Sequence, residues 1–154
     1  MSMNDRRAYR SQLWFGALTA FGVMSTGCGA LLGPDFHDVK SIPPNAGIVY
    51  IYRPSRFLGH DTATEVRADG VNVGYLFSSA YVPYYVTPGE HTFRAKNAVR
   101  INAVAGQTYY VKYTMKLGLV AGVPELTIET PTVGADEIRG CALLPGGYDG
   151  RDRI

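Results

Sequence analysis

The stretch GIVYIYR, residues 47–53, decides the fold of this chain. Its side chains are mostly β-branched or aromatic, and Pro54 follows directly, which is typical of a β-strand with a defined end. Apolar side chains occupy both of its faces, with Ile51 on one face and Tyr50 and Tyr52 on the other. Because both faces need to be covered, we expect this strand to lie at the centre of a sheet.

Further runs along the chain alternate apolar and polar residues, which is the pattern of half-buried β-strands. The clearest of them is TYYVKYTMK, residues 108–116. In EVRADGVNVGYLF, residues 65–77, the dipeptide Asp69-Gly70 supplies the positive φ angles of a two-residue hairpin turn. A period of two then places four of the following residues on one face: Val71, Val73, Tyr75 and Phe77.

The spacing of these elements indicates the fold class. About seven short strands, at intervals of roughly 8–12 residues and without long helices between them, predict an all-β domain. We expect an antiparallel β-sandwich or a partly open barrel of about seven strands over residues 47–130. Residues 131–154 are expected to form one short helix, within residues 134–144, and a loose glycine-rich tail.

The first 28 residues are arranged like an export signal. Arg6, Arg7 and Arg10 precede an uncharged apolar run over residues 13–24, and small residues lead from there to Cys28. A cysteine in that place resembles the lipobox of bacterial lipoproteins, in which the signal is cleaved and the cysteine becomes the lipidated N-terminus. We therefore expect a lipoprotein signal peptide over residues 1–27, lipidation of Cys28, and an extended tether over residues 28–46.

Two other interpretations of this segment stay open. The uncharged stretch of residues 11–33 is long enough for an uncleaved anchor in the inner membrane, although its five glycines make a poor helix. A buried N-terminal helix of a cytosolic domain is the third interpretation. Both membrane interpretations place the domain outside the cytoplasm, because the arginines stay on the inner side. In the Gram-negative lipoproteins that this segment resembles, aspartate after the cysteine favours retention in the inner membrane. Gly29 stands there in this chain, so the resemblance implies the outer membrane, with the domain facing the periplasm.

Charge and cysteine count exclude some classes of partner. The whole chain has a formal net charge of +2, but removal of residues 1–27 leaves 12 basic against 12 acidic residues. A neutral domain lacks the basic footprint of a nucleic-acid-binding protein. If Cys28 carries lipid, Cys141 has no partner in the chain, and its apolar neighbours predict a small buried side chain.

No catalytic or metal-binding arrangement is evident. The three histidines, His37, His60 and His91, are not spaced as metal ligands, and His91 is expected to be a hydrogen-bonded core histidine that caps a turn. Serines 55, 78 and 79 lack the glycine pattern of a nucleophile elbow. We therefore predict a protein that is not an enzyme and that has neither a metal nor a cofactor.

Tyrosine is the one unusual feature of the composition, since nine of the 11 tyrosines fall on predicted strands. Most such rings are buried in a sheet, with the hydroxyl reaching a hydrogen-bond partner. The alternative is an exposed ring platform that binds a glycan strand, such as peptidoglycan, or a partner peptide. The candidate residues for this platform are Tyr81, Tyr84, Tyr85 and Tyr110.

The order of motifs over roughly residues 47–128 closely resembles a known bacterial family, domain of unknown function 2846. The motifs are IVYIYRPSRFLG, then ADG, TPGEHTF, AGQTYYVKY and VPEL. Members of that family are short lipoproteins, and the Pro-Gly-Glu-His segment is also similar to PEGA-type repeats, which are small β-sandwiches. The resemblance implies a fold and an envelope location, but no activity.

The function expected from these observations is that of a membrane-anchored lipoprotein of the bacterial envelope. Its partners would be membrane lipid, through acylated Cys28, and another envelope protein. The domain would act as a non-catalytic accessory or protein-interaction module. Binding of a glycan or peptidoglycan through the strand tyrosines is the alternative.

Overall fold

The computed structural model describes residues 33–55, 62–117 and 122–154. Within these ranges the strands are β1 (Gly47–Arg53), β2 (Thr64–Ala68), β3 (Val71–Leu76), β4 (Ala80–Val86), β5 (Gly89–Arg94), β6 (Ala98–Ala103), β7 (Thr108–Leu117), β8 (Gly122–Glu129) and β9 (Ala142–Leu143). They form two sheets, one of five strands in the order β8-β7-β1-β4-β9 and one of four in the order β3-β2-β5-β6. The prediction of an all-β sandwich is confirmed.

Strand β1 is central, as its sequence predicts. All seven of its residues are buried, and it lies between β4 and β7. Its pairing with β4 is antiparallel, but its pairing with β7 is parallel, with Val49 opposite Tyr109. The five-stranded sheet is therefore mixed rather than purely antiparallel, and the four-stranded sheet lies within the connection between β1 and β7.

The main core fills the space between the two sheets. Aliphatic side chains of β1 meet those of the opposite sheet, and the rings of Tyr84 and Phe93 pack edge to face with centroids 5.9 Å apart. Removing this apolar surface from water is the main favourable term in folding. The largest buried contributors between the sheets are Ile51, Leu76, Tyr84, Phe93, Tyr113 and Leu126.

The β2–β3 hairpin turns at the predicted dipeptide but contains a β-bulge that the sequence pattern misses. Asp69 and Gly70 have φ angles of 49° and 80°. The register shifts between β2 and β3 where Gly74 stands at a φ of 149°. A bulge reverses the alternation of faces beyond it. The prediction that Tyr75 shares the inward face of Val73 is therefore wrong: Leu76 is buried instead, and Tyr75 is 54% exposed.

Residues 33–46 lie along the outer face of the five-stranded sheet. The ring of Phe36 packs edge-on against Tyr50 and Tyr81, with centroids 5.2 and 5.1 Å away. Val39 and Ile42 continue the same contact, and with it a second core forms outside the sandwich. The five-stranded sheet is thus covered on both faces, by the four-stranded sheet on one face and by residues 33–46 on the other.

This cover differs from the tether predicted over residues 28–46. An extended spacer would lead away from the sheet. Instead, the apolar side chains of Phe36, Val39 and Ile42 pack against tyrosine rings of the sheet that would otherwise face water, and this burial of apolar surface stabilises the packed arrangement. Residues 28–32 of the predicted tether lie outside the described residues.

Helix α1 (Pro131–Glu137) begins earlier and ends earlier than the helix predicted within residues 134–144, and a 3₁₀ turn follows over Ile138–Gly140. The side chain of Thr130 accepts a hydrogen bond from Val133 N at 3.5 Å, and Pro131 occupies the first turn. Both residue types favour a helix start. The helix then lies against β7, where Gly134 packs on Tyr110.

The close contact between Gly134 and Tyr110 gives a first prediction. A Cβ at Gly134 would lie 2.7 Å from Tyr110 Cδ1, which is too close for a carbon–carbon contact. We expect Gly134→Ala to lower the free energy of unfolding by about 1–3 kcal/mol, because overpacking forces the helix off the sheet. Urea denaturation followed by circular dichroism measures the change. Gly140→Ala is the control, since nothing lies within 4 Å of a Cβ there. Equal urea midpoints for the two variants would contradict the close packing of Gly134 on Tyr110.

Residues 144–154 contain the stretch 145–154 that the sequence predicts as a loose tail, but they are not loose. Asp149 O accepts a hydrogen bond of 2.7 Å from Tyr85 N on β4, and Tyr148 N donates one of 2.8 Å to Val73 O on β3. The ring of Tyr148 lies 6.1 Å from that of Tyr84. This segment, which we call the closing segment, therefore joins the two sheets along one side of the sandwich.

Asn97 joins the two sheets on the opposite side. Its side chain donates to Leu126 O at 2.9 Å and accepts from Leu126 N at 2.7 Å. Leu126 belongs to the edge strand β8, so the amide takes the place of a neighbouring strand there. Edge strands that are covered in this way are protected against pairing with other chains.

Candidate functional site

Two residues that the sequence singles out lie outside the described residues, namely Cys28, predicted to be lipidated, and His60. The structure therefore bears on the predicted tyrosine platform, on the remaining titratable groups and on the surface of the domain. Within the described ranges, no helix combines the length and the apolar character that a bilayer crossing requires.

The exposed tyrosine platform does not form. Tyr81, Tyr84, Tyr85 and Tyr110 are each between 2 and 6% exposed. Tyr84 faces the core between the sheets, whereas the other three rings face the second core. The prediction is wrong because residues 33–46 and α1 cover the outer face of the sheet, and because neighbouring residues of one strand face opposite sides.

The rings of the second core pack against one another, edge to face in most pairs. Tyr50 and Tyr110 stack with centroids 5.7 Å apart, and the hydroxyl of Tyr50 accepts a hydrogen bond of 3.0 Å from Val39 N. Burial raises the pKa of Tyr50, Tyr81 and Tyr110 above that of a free tyrosine. These phenols therefore stay neutral and serve as packing and hydrogen-bonding groups.

His91 joins two turns at one end of the sandwich. Its Nδ1 lies 2.6 Å from Asp69 Oδ2, and its Nε2 lies 2.7 Å from Thr87 O. Asp69 also accepts a hydrogen bond of 2.8 Å from Thr92 N. Both ring nitrogens are thus engaged by the β2–β3 and β4–β5 turns. This confirms the expected hydrogen bonds at a turn, but His91 is half-buried and belongs to neither core.

A half-buried polar cluster fastens α1 to the outer face of the sheet. Lys112 Nζ lies 2.8 Å from Glu137 Oε1 and 3.4 Å from Glu129 Oε1. The hydroxyl of Tyr52 donates to Glu137 Oε2 at 2.7 Å. Burial, together with the Glu137 carboxylate, raises the pKa of Tyr52, so the phenol stays a donor. Sequence reasoning misses this cluster, because its members lie far apart in the chain.

Cys141 is buried beneath the same face. Its Sγ lies 3.6 Å from Arg53 O, and burial raises the pKa of the thiol to about 12. The thiolate is the reactive form of cysteine, so this thiol is unreactive at neutral pH. The prediction of a small buried side chain is confirmed.

Within the described ranges, no three His, Cys, Asp or Glu residues are grouped so that they could hold a metal ion.

Arg53 organises the end of the sandwich opposite to His91. Its side chain is 3% exposed, and its guanidinium donates to Thr62 O and, over 3.1 Å, to Leu76 O. The same group lies 5.1 Å from the ring centroid of Tyr113. Arg53 therefore ties the end of β1 to the open end of the β2–β3 hairpin, and burial lowers the pKa of its guanidinium.

An apolar hollow of about 350 Å³ opens beside this end of the sandwich. It lies between the hairpin, from which Tyr75 and Phe77 contribute, and the closing segment, which contributes Leu144 and Pro145. Tyr75 reaches the hollow only because the bulge at Gly74 turns it away from the core. The sequence carries one signal of this site, the glycine in mid-strand.

Comparison with known protein families gives a match. A family described as a protein of unknown function, DUF2846, matches residues 43–124. No curated protein and no solved structure matches the chain. The matched range covers more than half of the chain and includes Arg53, His91 and the hairpin, whereas Cys28 and the closing segment lie outside it.

Proposed function

Since the chain belongs to the DUF2846 family, we propose that it is a lipid-anchored accessory protein of the bacterial envelope. Cleavage before Cys28 would make this cysteine the N-terminus and the attachment site of lipid. The domain would then face the periplasm from the outer membrane and bind another envelope protein without catalysing a reaction.

One observation carries this proposal, namely the order of residues at the N-terminus. Three arginines, an uncharged apolar run over residues 13–24 and the small residues 25–27 lead to Cys28. An apolar run of this length engages the export machinery but is short for a bilayer span. The folded domain begins soon afterwards, since Gly33 already contacts it.

The non-catalytic role draws support from the partners of the half-buried titratable groups. His91 bridges two turns, and Lys112 holds the helix to the sheet. The hydrogen bonds and ion pairs of these side chains therefore connect elements of the fold.

The intact mass of the protein, purified from membranes, tests the proposal. We expect the loss of residues 1–27 and the gain of lipid at Cys28. Cys28→Ala should abolish both changes and leave the unmodified full-length precursor, whereas globomycin should block only the cleavage and leave a full-length parent protein with lipid at Cys28. The matched control is Cys141→Ala, which removes the other cysteine and should be processed normally.

Two outcomes would contradict the proposal. A soluble protein that keeps Met1 excludes an envelope location. A membrane-bound protein of full length with an unmodified Cys28 excludes lipid anchoring and points to an uncleaved anchor in its place.

A further inference from the structure

The two sheets of the sandwich differ in what lies on their outer faces. On the five-stranded sheet, residues 33–46 and α1 cover the outer face. On the four-stranded sheet, no described segment forms such a cover, and most of the side chains that point outwards are exposed. We call this surface the open face. Its exposed side chains include Arg67, Asn72, Tyr75, Arg94, Arg100 and Asn102.

Three arginines cross the open face on neighbouring strands. Arg67 of β2 stands directly opposite Arg94 of β5. Arg100 of β6 is the diagonal neighbour of Arg94, because it lies two residues beyond Ala98, the direct partner of Arg94. Like charges that stand opposite each other on adjacent strands destabilise a sheet. Natural proteins break local rules of this kind mainly at functional sites.

Carboxylates of the same face neutralise the two outer arginines but not the central one. Arg67 forms an ion pair of 2.8 Å with Glu65, and Arg100 one of 3.9 Å with Glu90. Among the residues that the structure describes, no carboxylate forms an ion pair with Arg94. A guanidinium binds a carboxylate through two parallel hydrogen bonds, so the exposed Arg94 can receive an acidic side chain from outside the domain.

Tyr75 adds an exposed aromatic ring to this face. Its direct partner on β2 is Glu65, and its side chain is 54% exposed because the bulge at Gly74 turns it outwards. Bulges often re-aim a side chain in this way beside functional sites. The four strands of the open face contain three arginines and no lysine. Tyrosine and arginine are enriched in protein–protein interfaces and lysine is depleted, so this composition favours a protein as the partner.

We propose that the open face binds an acidic segment of a partner protein, with a carboxylate of that segment held by Arg94 between the two other arginines. The ring of Tyr75 packs against the rest of the segment. The inference rests on the proposed function in one respect, because it specifies the surface and the charge by which the domain recognises another envelope protein. Recognition by the open face itself does not require the lipid at Cys28.

Binding of fluorescently labelled poly-L-glutamate, followed by anisotropy at low salt, tests the proposal on the full protein purified from membranes in a nonionic detergent. The variant is Arg94→Gln, and the matched control is Arg139→Gln. Arg139 is also exposed, but it follows α1 on the other sheet, so both variants lose the same charge at different surfaces. We expect Arg94→Gln to weaken the binding about fivefold, as the loss of one exposed ion pair allows, and Arg139→Gln to leave it unchanged.

The thermal midpoint of the free protein separates recognition from a structural role of Arg94. Because Arg67 and Arg94 repel each other, Arg94→Gln is expected to keep or raise this midpoint. Loss of a contact that holds the fold together would lower it. A lower midpoint for this variant would therefore overturn the proposal.

The binding data can overturn it in two further ways. One is an equal effect of the two variants on the affinity for poly-L-glutamate, including no effect of either. The other is tighter binding of polyphosphate than of poly-L-glutamate at matched charge, which would assign the open face to phosphate groups. The intact mass decides the proposed function separately: lipid at Cys28 together with an unchanged affinity of Arg94→Gln removes only the role of the open face.

Discussion

Deletion of residues 146–154 is expected to leave the domain unfolded or without fixed tertiary packing. The deletion removes the hydrogen bonds from Tyr85 N to Asp149 O and from Tyr148 N to Val73 O. It also uncovers the ring of Tyr84, which is buried against Phe93 and Tyr148. The closing segment thus pairs with the outer edge of β4 and covers a part of the main core.

The expected loss is comparable to the stability of the whole domain. Each hydrogen bond contributes about 0.5–1.5 kcal/mol, and the exposure of a large apolar side chain costs about 1.5–3 kcal/mol. With the rings of Tyr84 and Tyr148 both affected, the sum is about 4–9 kcal/mol, whereas small domains unfold at a cost of about 5–15 kcal/mol. Near-ultraviolet circular dichroism of the tyrosines and the urea midpoint measure the result.

A shorter deletion, of residues 152–154, serves as the control. It keeps Tyr148 and Asp149 and with them both backbone hydrogen bonds. We expect this variant to stay folded and to lose about 1–2 kcal/mol, because it removes the half-buried side chain of Ile154 and the hydrogen bond from Tyr148 to Asp152. If the two deletions shift the urea midpoint equally, the closing segment does not have the role assigned to it.

Arg53→Met is expected to lower the free energy of unfolding by about 3–5 kcal/mol. The substitution keeps much of the buried volume but removes the donors to Thr62 O and Leu76 O. Leaving a buried acceptor without its donor costs about 1–3 kcal/mol for each group. The contact of the guanidinium with the ring of Tyr113 is lost as well. Urea denaturation of both proteins gives the difference.

Arg67→Met is the matched control for this variant. Arg67 is exposed and forms an ion pair of 2.8 Å with Glu65 on the surface of the same hairpin. Such pairs contribute about 0–1 kcal/mol, so we expect a small change. A loss of similar size in the two variants would show that the guanidinium of Arg53 is not what holds the hairpin to β1.

The features that the sequence predicts correctly are local ones. The strand character of residues 47–53, the hairpin at Asp69-Gly70 and the resemblance to the DUF2846 family all follow from residue types at short spacing. Local backbone preferences and strand periodicity decide such features, and both depend only on residues that are close together in the sequence.

The features that the sequence misses depend on contacts between distant parts of the chain. Nothing near Phe36 shows that its ring meets Tyr50 and Tyr81, and for this reason the sequence pattern indicates a tether where the structure has a cover over the sheet. The same cover buries the tyrosines of the predicted platform. The bulge at Gly74 moves Tyr75 to the surface through a single backbone irregularity, which a strict period of two cannot represent.

The position of the closing segment also has a consequence for synthesis. Ribosomes deliver a polypeptide from its N-terminus, so Tyr148 and Asp149 arrive after the nine strands of the described residues. Until they do, one flank of the main core and the outer edge of β4 beyond its pairing with β9 lack the contacts that this segment supplies. The nascent chain therefore cannot reach its final packing before the closing segment has been delivered.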